Sequence, residues 1–156
     1  MKITILSVGS IKEKYLKDAI NDYAKRISKY SKIDFISVMD EPISENMSEA
    51  DIKNKEAARL LSKLPENSYK IALNLQGEML TSIQLSEKVS HILSYYTSHI
   101  VFVIGGSLGL GDPILTRMDY HLCFSKMTFP HQLMQVILLE QIYRSFKIIN
   151  HETYHK

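Results

Sequence analysis

Apolar positions along the chain follow two spacings, one typical of buried strands and one typical of amphipathic helices. Residues 2–8 read KITILSV, a short run rich in β-branched side chains that Gly9 ends, and this predicts a buried strand. From Lys12 to about Tyr30, apolar side chains recur at steps of three and four residues, which predicts a helix with one apolar face. The chain therefore opens with a strand followed by a helix.

The same two spacings recur along the rest of the chain. Ser48, with Asp51 three residues later, is a typical helix start, and Pro65 marks the end of that helix. The run HIVFVI at 99–104 is apolar throughout, as expected of a strand buried on both faces. The other predicted elements are strands at 32–39, 69–75 and 119–125, and helices from near 47–49 to 64, at 82–96 with Ser82 as its cap, near 112–118, and from Pro130 to about 149.

Strands that alternate with helices favour an α/β fold in which a mostly parallel sheet carries helices on both faces. The sequence has no repeat, linker or low-complexity tract, so residues 1–156 are predicted to form a single domain. Parallel sheets bind ligands outside the carboxyl ends of their strands. The predicted strand ends are Gly9, Gln76-Gly77, Gly105-Gly106 and Ser125-Lys126.

Composition narrows the class of protein without naming its function. Hydrophobic residues make up 45% and charged residues 23%, which is ordinary for a soluble globular protein. The single cysteine, Cys123, excludes an internal disulfide and a thiol-rich metal site, and it fits a reducing compartment. The chain shows no signal-peptide pattern and no apolar stretch near the ~20 residues that a membrane span needs. We expect a soluble, cytoplasmic protein that has no membrane contact.

Charge is distributed unevenly around a net value of +2. Lysine and arginine outnumber acids by eight to three in residues 1–32 and by five to three in residues 114–156, whereas residues 33–113 hold six basic and eleven acidic residues. An RNA-binding face and a solvated helix face produce such a bias about equally often. The charge pattern therefore supports a nucleic-acid partner only weakly.

Four of the six glycines lie in the segment Gly105–Gly111, directly after the most apolar strand. Glycine lets a ligand approach the main chain closely, although a plain tight turn is the alternative interpretation. The segment GGSLGLGD has no lysine for a Walker phosphate loop, and Ile114 stands where a dinucleotide fingerprint needs its third glycine. A nucleoside without a phosphate chain, such as the adenosine of S-adenosylmethionine, needs neither motif.

The chain also ends on a zinc-protease pattern, His151-Glu152-x-x-His155. In a metalloprotease this spacing places both histidines on one helix face and makes the glutamate a general base. Here no third ligand follows the pattern, and Asn150 just before it is a typical helix stop. We therefore predict no metal site.

The last helix, LMQVILLEQIYRSFKII, has apolar residues on nearly every side. A helix of this kind is buried on more than one face, against the sheet and either a second subunit or other helices of the same chain. Glu140 and Arg144 stand four residues apart within it, at the spacing of an intrahelical ion pair. Contact between Arg144 and a phosphate is the alternative.

Long stretches of the sequence resemble the large-subunit ribosomal RNA methyltransferase H family, small proteins of the SPOUT class. The resemblance covers nearly the whole chain and is carried by VGSIKEKYLKDAINDYAKRI, LNLQGEML, FVIGGSLGL, FSKMTFPHQLMQVILLEQIYRSFKI and the ending YHK. It implies an α/β-knot fold with a C-terminal trefoil knot at about 100–150, and a homodimer through that region. It also implies S-adenosylmethionine as the methyl donor and N3 of a pseudouridine in 23S-type ribosomal RNA as the acceptor.

The resemblance also assigns roles to individual residues. The donor-binding positions of the family correspond here to Leu73, Gly105, Phe124, Ser125, Lys126, Met127, Thr128 and Phe129.

The acceptor imide must lose a proton, and we predict His155 as the general base because histidine titrates near neutral pH. Tyr154 is predicted to orient the uracil ring, and Arg144 to assist catalysis by contacting phosphate. We expect the tail to be free, to complete the site of the other subunit, and other phosphate contacts to come from Lys12, Lys14, Lys17 and Arg26. His131 is predicted either to line the site or to serve as a cap or core residue.

At three positions the chain departs from the pattern of the family. Ser10 and Gln135 stand where basic residues are common, and Leu108 stands where a polar or acidic residue is usual. The loss of two positive charges is expected to weaken RNA binding, because each phosphate contact adds to affinity. The alternatives are a divergent SPOUT paralogue acting on another RNA or a protein, and a non-catalytic ribosome-binding dimer.

Overall fold

The computed structural model describes all 156 residues, in which strands and helices alternate along the whole chain. The strands are β1 (Lys2–Val8), β2 (Lys32–Val38), β3 (Tyr69–Met79), β4 (His99–Ile104) and β5 (Tyr120–Cys123). The helices are α1 (Lys14–Ile27), α2 (Glu49–Lys63), α3 (Ser82–Tyr95), α4 (Asp112–Leu115) and α5 (His131–Ile149). The predicted order of elements is confirmed.

All five strands pair in parallel in the order β2-β1-β4-β3-β5. The larger core cluster joins the sheet to α1, α3 and α5, and the smaller one joins it to α2 and α4. Strand β4 serves both clusters, since Phe102 faces the first while Val101 and Val103 face the second. This double burial explains why β4 is apolar throughout and confirms the predicted sheet with helices on both faces.

Strand β3 is longer than predicted. The expected end at Gln76-Gly77 is wrong, because Glu78 and Met79 pair with Leu122 and Cys123 of β5 after a register shift. A Cβ on Gly77 would lie 2.6 Å from the backbone carbonyl of His121. Glycine is therefore needed here for the close approach of two strands at an irregularity, and it does not end the strand.

Of the two predicted helix caps, the one for α2 is confirmed and the one for α3 is wrong. Ser48 and Asp51 form the predicted capping box of α2, since the Ser48 hydroxyl accepts a hydrogen bond from the Asp51 N–H at 3.1 Å. The predicted Ser82 cap of α3 is wrong, because Thr81 caps that helix together with Gln84. Glutamine three residues after Thr81 completes a reciprocal pair that Ser82 lacks.

Helix α5 packs one side against α1 and α3 and leaves part of its apolar surface uncovered. Leu138, Leu139 and Ile142 are fully buried, whereas Leu133 is 39% exposed and Ile137 is half-buried. None of the helices combines the length and apolar character needed to cross a membrane. The single domain and the trefoil knot stay predictions.

Candidate functional site

A cavity that we call the strand-end cavity lies beside the middle of β3 and at the carboxyl ends of β4 and β5. It encloses about 720 Å³, within the usual range for small-molecule sites. Half of its twenty lining residues are hydrophobic, and none is a lysine, arginine, aspartate or glutamate. Seven of the eight residues predicted to bind the donor line it: Leu73, Gly105, Phe124, Ser125, Met127, Thr128 and Phe129.

One wall of the strand-end cavity is main chain. After β4 the chain folds back on itself, so that the Gly109 N–H donates to the Gly106 carbonyl at 3.1 Å. A Cβ on Gly105 would lie 2.7 Å from the Gly109 carbonyl carbon, and Gly109 itself has a φ of +87°. The predicted glycine turn therefore exists, and it also presents backbone groups to the cavity.

The opposite wall is the loop of residues 124–129, which Ser125 holds in shape. The Ser125 hydroxyl accepts a hydrogen bond from the Met127 N–H at 3.0 Å. The backbone carbonyl of Ser125 accepts another from the Cys123 thiol at 3.1 Å. Lys126 belongs to this loop but does not line the cavity. Its predicted part in donor binding has no support from the geometry and stays a prediction.

Two of the three predicted catalytic residues bind Glu140 on α5, and His155 joins them through Arg144. Arg144 donates to Glu140 through Nη2 at 2.6 Å, which confirms the predicted ion pair, and the Tyr154 hydroxyl donates to the same carboxylate at 3.1 Å. The Tyr154 ring packs edge-on against Tyr143 at 5.0 Å, and burial raises the pKa of its hydroxyl. The expected free tail is therefore wrong for this residue, which is packed on α5.

The contact between Arg144 and His155 restricts the chemistry of the histidine. Arg144 Nη1 lies 3.1 Å from His155 Nδ1. A guanidinium can only donate, so Nδ1 must accept, and the proton of a neutral ring then sits on Nε2. In this arrangement His155 presents a hydrogen-bond donor to its surroundings, which differs from the predicted general base.

The residues of the zinc-protease pattern are not arranged to bind a metal. His151 has a φ of +55° just after the end of α5, and Glu152 binds Lys147 and Tyr30 at 2.7 and 2.8 Å. No group of three histidine, cysteine or acidic side chains lies close enough together to hold a metal ion.

Sequence reasoning missed several residues of the strand-end cavity. Asn74 and Leu75 follow Leu73 on β3, and Pro130, Gln132 and Met134 belong to the start of α5. The proline directly after the 124–129 loop was a usable signal, because it begins the helix whose first turn closes the cavity. His131 was predicted as an alternative and does line the site. Burial lowers the pKa of His131, which favours its neutral imidazole.

Two smaller cavities continue from the strand-end cavity along the same edge of the sheet. The α2 cavity, about 400 Å³, shares Ser107, Leu108 and His131 with it and reaches Glu56. The serine pocket, about 350 Å³, lies beyond the α2 cavity and shares Gly9 and Ser10 with it. The three residues that depart from the family pattern, Ser10, Leu108 and Gln135, therefore all line these cavities.

The basic residues predicted to contact phosphate fall into two groups. Lys12 lines the α2 cavity and Lys17 lines the serine pocket. Lys14 and Arg26 instead pair with acids four residues away on the exposed side of α1, at 2.8 and 3.0 Å. Lys12 and Lys17 are therefore better placed to meet a ligand at this edge.

Comparison with known proteins identifies the family. A family model described as a predicted SPOUT methyltransferase matches residues 1–155. The chain belongs to the SPOUT methyltransferase family. Two relatives align over the full length of both chains: the ribosomal RNA large subunit methyltransferase H of Ruminiclostridium cellulolyticum is 52% identical, and a putative one of Methanococcus maripaludis is 56% identical.

A solved structure shares the fold of this chain. It is a probable methylase family protein from Haemophilus influenzae, 15% identical, with a TM-score of 0.53 over 99% of this chain and 70% of that one. Membership of a methyltransferase family implies a methyl donor, and the strand-end cavity, at about 720 Å³, is large enough to hold one.

Proposed function

We propose that this chain, working in the cytoplasm as a homodimer without a metal, transfers a methyl group from S-adenosylmethionine to N3 of a pseudouridine in large-subunit ribosomal RNA. One observation carries the proposal. Seven of the family's eight donor-binding positions, which lie on β3, after β4 and after β5, converge on one cavity that has no lysine, arginine or acidic residue in its lining. They do so in a chain about half identical, from end to end, to relatives named ribosomal RNA large subunit methyltransferase H.

The lining of the strand-end cavity suits the proposed donor. Apolar side chains such as Leu73, Leu122 and Phe124 offer surface for a purine ring, and the main chain at Gly105 offers polar groups to the edge of that ring. The absence of lysine and arginine disfavours a phosphate-bearing ligand and is compatible with a nucleoside. When bound, S-adenosylmethionine supplies an electrophilic methyl group on a sulfonium.

The acceptor side of the reaction needs residues that the strand-end cavity does not contain. None of residues 150–156 lines the strand-end cavity, the α2 cavity or the serine pocket. Tyr154 and His155 nevertheless bond to side chains of α5, Tyr154 to Glu140 and His155 to Arg144. This arrangement supports a homodimer in which the tail of one subunit closes the cavity of the other and aligns the uracil ring with the methyl group.

The proton chemistry follows from the state of His155. With Arg144 donating to Nδ1, the Nε2–H of His155 can donate to a uracil carbonyl and stabilise the negative charge that forms when N3 loses its proton. The proton itself then passes to solvent. Lys12 and Lys17 are placed to contact phosphates next to the target nucleotide.

The proposal is tested with labelled S-adenosylmethionine and ribosomes from a strain that lacks this protein. We expect label in the large-subunit RNA, which mass mapping assigns to N3 of one pseudouridine, and no label in tRNA or protein. Calorimetry should show donor binding without RNA. Label in tRNA or protein would favour a divergent paralogue, and donor binding without transfer to any acceptor would favour a non-catalytic ribosome-binding protein.

A further inference from the structure

The serine pocket lies at the carboxyl ends of β1 and β2, between these strands, α1 and α5. Five of its eleven lining residues carry neutral hydrogen-bonding side chains: Ser7, Ser10, Asn21, Ser37 and Gln135. Phe35 adds an aromatic ring that is 42% exposed, and Lys17 is the single charged residue. Ser7 and Ser37 stand opposite each other in the register of β1 and β2, so they present two hydroxyls on the same side of the sheet.

Two of these polar side chains are almost fully buried and have no partner in the chain. Ser7 is 7% exposed and Gln135 is 8% exposed, and neither side chain hydrogen-bonds to another residue. No fully enclosed side-chain nitrogen or oxygen atom in the protein lacks a partner, so the polar atoms of Ser7 and Gln135 must reach the pocket. These atoms are therefore accessible to water, and a ligand that hydrogen-bonds to them replaces that water.

The chemistry of the wall selects a class of ligand. An amide and several hydroxyls can each donate and accept, which suits a flat, uncharged ring with both kinds of group on its edge. An aromatic side chain such as Phe35 suits stacking on such a ring, and this is how proteins hold unpaired RNA bases. A volume of about 350 Å³ accommodates a nucleobase, and one lysine is too little charge for a polyphosphate.

The position of the serine pocket ties it to the strand-end cavity. Gln135 follows His131 by four residues on α5, so the two side chains lie on one helix face about one turn apart. His131 lines the strand-end cavity and the α2 cavity, and Gly9 and Ser10 connect the α2 cavity to the serine pocket. A strand of RNA whose target nucleotide lies at the mouth of the strand-end cavity can therefore continue past the α2 cavity to the serine pocket.

We propose that the serine pocket binds an unpaired nucleobase of the substrate RNA, close in sequence to the methylated nucleotide. Ser7 and Gln135 bind the edge of the base, Phe35 stacks on its face, and Lys17 contacts the phosphate beside it. This role rests on the proposed function for the identity of the RNA. The base-binding property itself does not depend on methyl transfer.

The first experiment measures binding alone by nuclear magnetic resonance. The full chain, with its donor site saturated with S-adenosylhomocysteine, is titrated with the four common ribonucleoside monophosphates. We expect at least one of them to shift the amide signals of Ser7, Ser37 and Gln135, and we expect Gln135→Leu and Ser7→Val to abolish the shift. Ser90→Val on α3, which lines none of the three cavities, is the matched control and should leave it unchanged.

Absence of any shift at millimolar nucleotide would overturn the proposal, and so would shifts that the two pocket variants leave intact. The same signals could instead respond to protein concentration in the absence of nucleotide, which would assign the pocket to contact between copies of the chain. Because no RNA is methylated in this experiment, its outcome is independent of the proposed function.

The second experiment measures methyl transfer to large ribosomal subunits. For Gln135→Leu and Ser7→Val we expect the KM for the subunits to rise about tenfold, as for the loss of one or two hydrogen bonds, with unchanged donor affinity. Ser90→Val should match the wild type. Wild-type KM in both pocket variants would refute the role in RNA binding, whereas a wild type that methylates no ribosomal RNA would refute the proposed function.

Discussion

At the scale of single residues, the contact between Arg144 and His155 leads to a test of what the histidine does. Because Nδ1 accepts from Arg144, the ring presents Nε2–H as a donor. We expect His155→Gln, which retains an amide donor, to keep the transfer rate within about tenfold of the wild type, and His155→Ala to lower it about a hundredfold. Single-turnover rates with saturating donor measure both.

The pH dependence of the wild type supplies the control for that comparison. If the imide loses its proton to solvent, the rate should keep rising with pH above neutrality, without a plateau near neutral pH. Equal losses in His155→Gln and His155→Ala, together with a plateau near neutral pH, would instead support the general base predicted from the sequence.

Glu56 is the residue whose ionisation should limit stability at neutral pH. It is 5% exposed, one carboxylate oxygen accepts a hydrogen bond from the Glu41 N–H at 3.0 Å, and burial raises its pKa above the ordinary value of 4.5. A raised pKa means that the folded state binds the proton more tightly, so Glu56 contributes stability at low pH. That contribution is lost as the pH rises through the raised pKa.

Glu56→Gln removes this titration while it retains an acceptor for the Glu41 N–H. The free energy of unfolding of the variant, relative to the wild type, should therefore increase between about pH 4.5 and neutral pH. Urea unfolding at a series of pH values measures the difference, with Glu87→Gln on the exposed side of α3 as the control. A difference that is constant with pH would contradict the assignment.

At the scale of elements, β3 and β5 approach each other so closely at Gly77 that the sheet should not tolerate a side chain there. A Cβ there would lie 2.6 Å from the His121 carbonyl, and backbone on both sides cannot yield cheaply. We expect Gly77→Ala to lower the free energy of unfolding by about 3 kcal/mol. Gly109→Ala is the matched comparison, because a Cβ there has no neighbour within 4 Å and only the φ of +87° opposes it.

The positive φ at position 109 should lower the free energy of unfolding of Gly109→Ala by about 1 kcal/mol, which is less than the loss expected for Gly77→Ala. Denaturant unfolding of both variants checks the order. Similar losses in the two variants would mean that β3 and β5 separate easily, and that the irregularity near Gly77 tolerates a side chain.

The elements themselves were largely predictable from the sequence because their signals are local. Strand β4 and the Ser48 cap follow from the periodicity and chemistry of a few neighbouring residues, and both agree with the structure. The end of β3 was mispredicted because a glycine inside a strand and a glycine after a strand look alike in sequence. Only the opposing backbone of His121 distinguishes them, and that contact is formed by residues distant along the chain.

At the scale of the whole molecule, the position of the candidate site was predictable and its full extent was not. Parallel strands bring Leu73, Gly105 and Phe124 to one edge, so any ligand at that edge meets all three. The serine pocket depends on which helix covers which end of the sheet, because Gln135 and Ser7 line one pocket only through the packing of α5 against α1. Nothing in the spacing of these residues along the chain predicts that they lie together.

The uncovered side of α5 is the strongest argument that two chains form one enzyme. Leu133 and Ile137, one turn apart, leave apolar surface exposed on the helix that carries Arg144, while the tail reaches none of the cavities of its own chain. We expect Leu133→Glu to convert a dimer into monomers in sedimentation and to abolish methyl transfer, with donor affinity unchanged within about threefold.

A complementation experiment with two inactive variants shows whether the C-terminal tail acts on the cavity of its own chain or on that of the partner chain. A variant lacking residues 154–156 retains its cavity, and Gly105→Val, whose side chain would collide with Gly109, retains its tail. Each should be inactive alone, with Lys156→Ala as the active control. After the two are denatured and refolded together in equal amounts, about half the dimers are mixed, and each mixed dimer holds one complete site if the tail acts across the interface. Roughly a quarter of wild-type activity should return, whereas a tail that serves its own chain leaves every mixed dimer inactive.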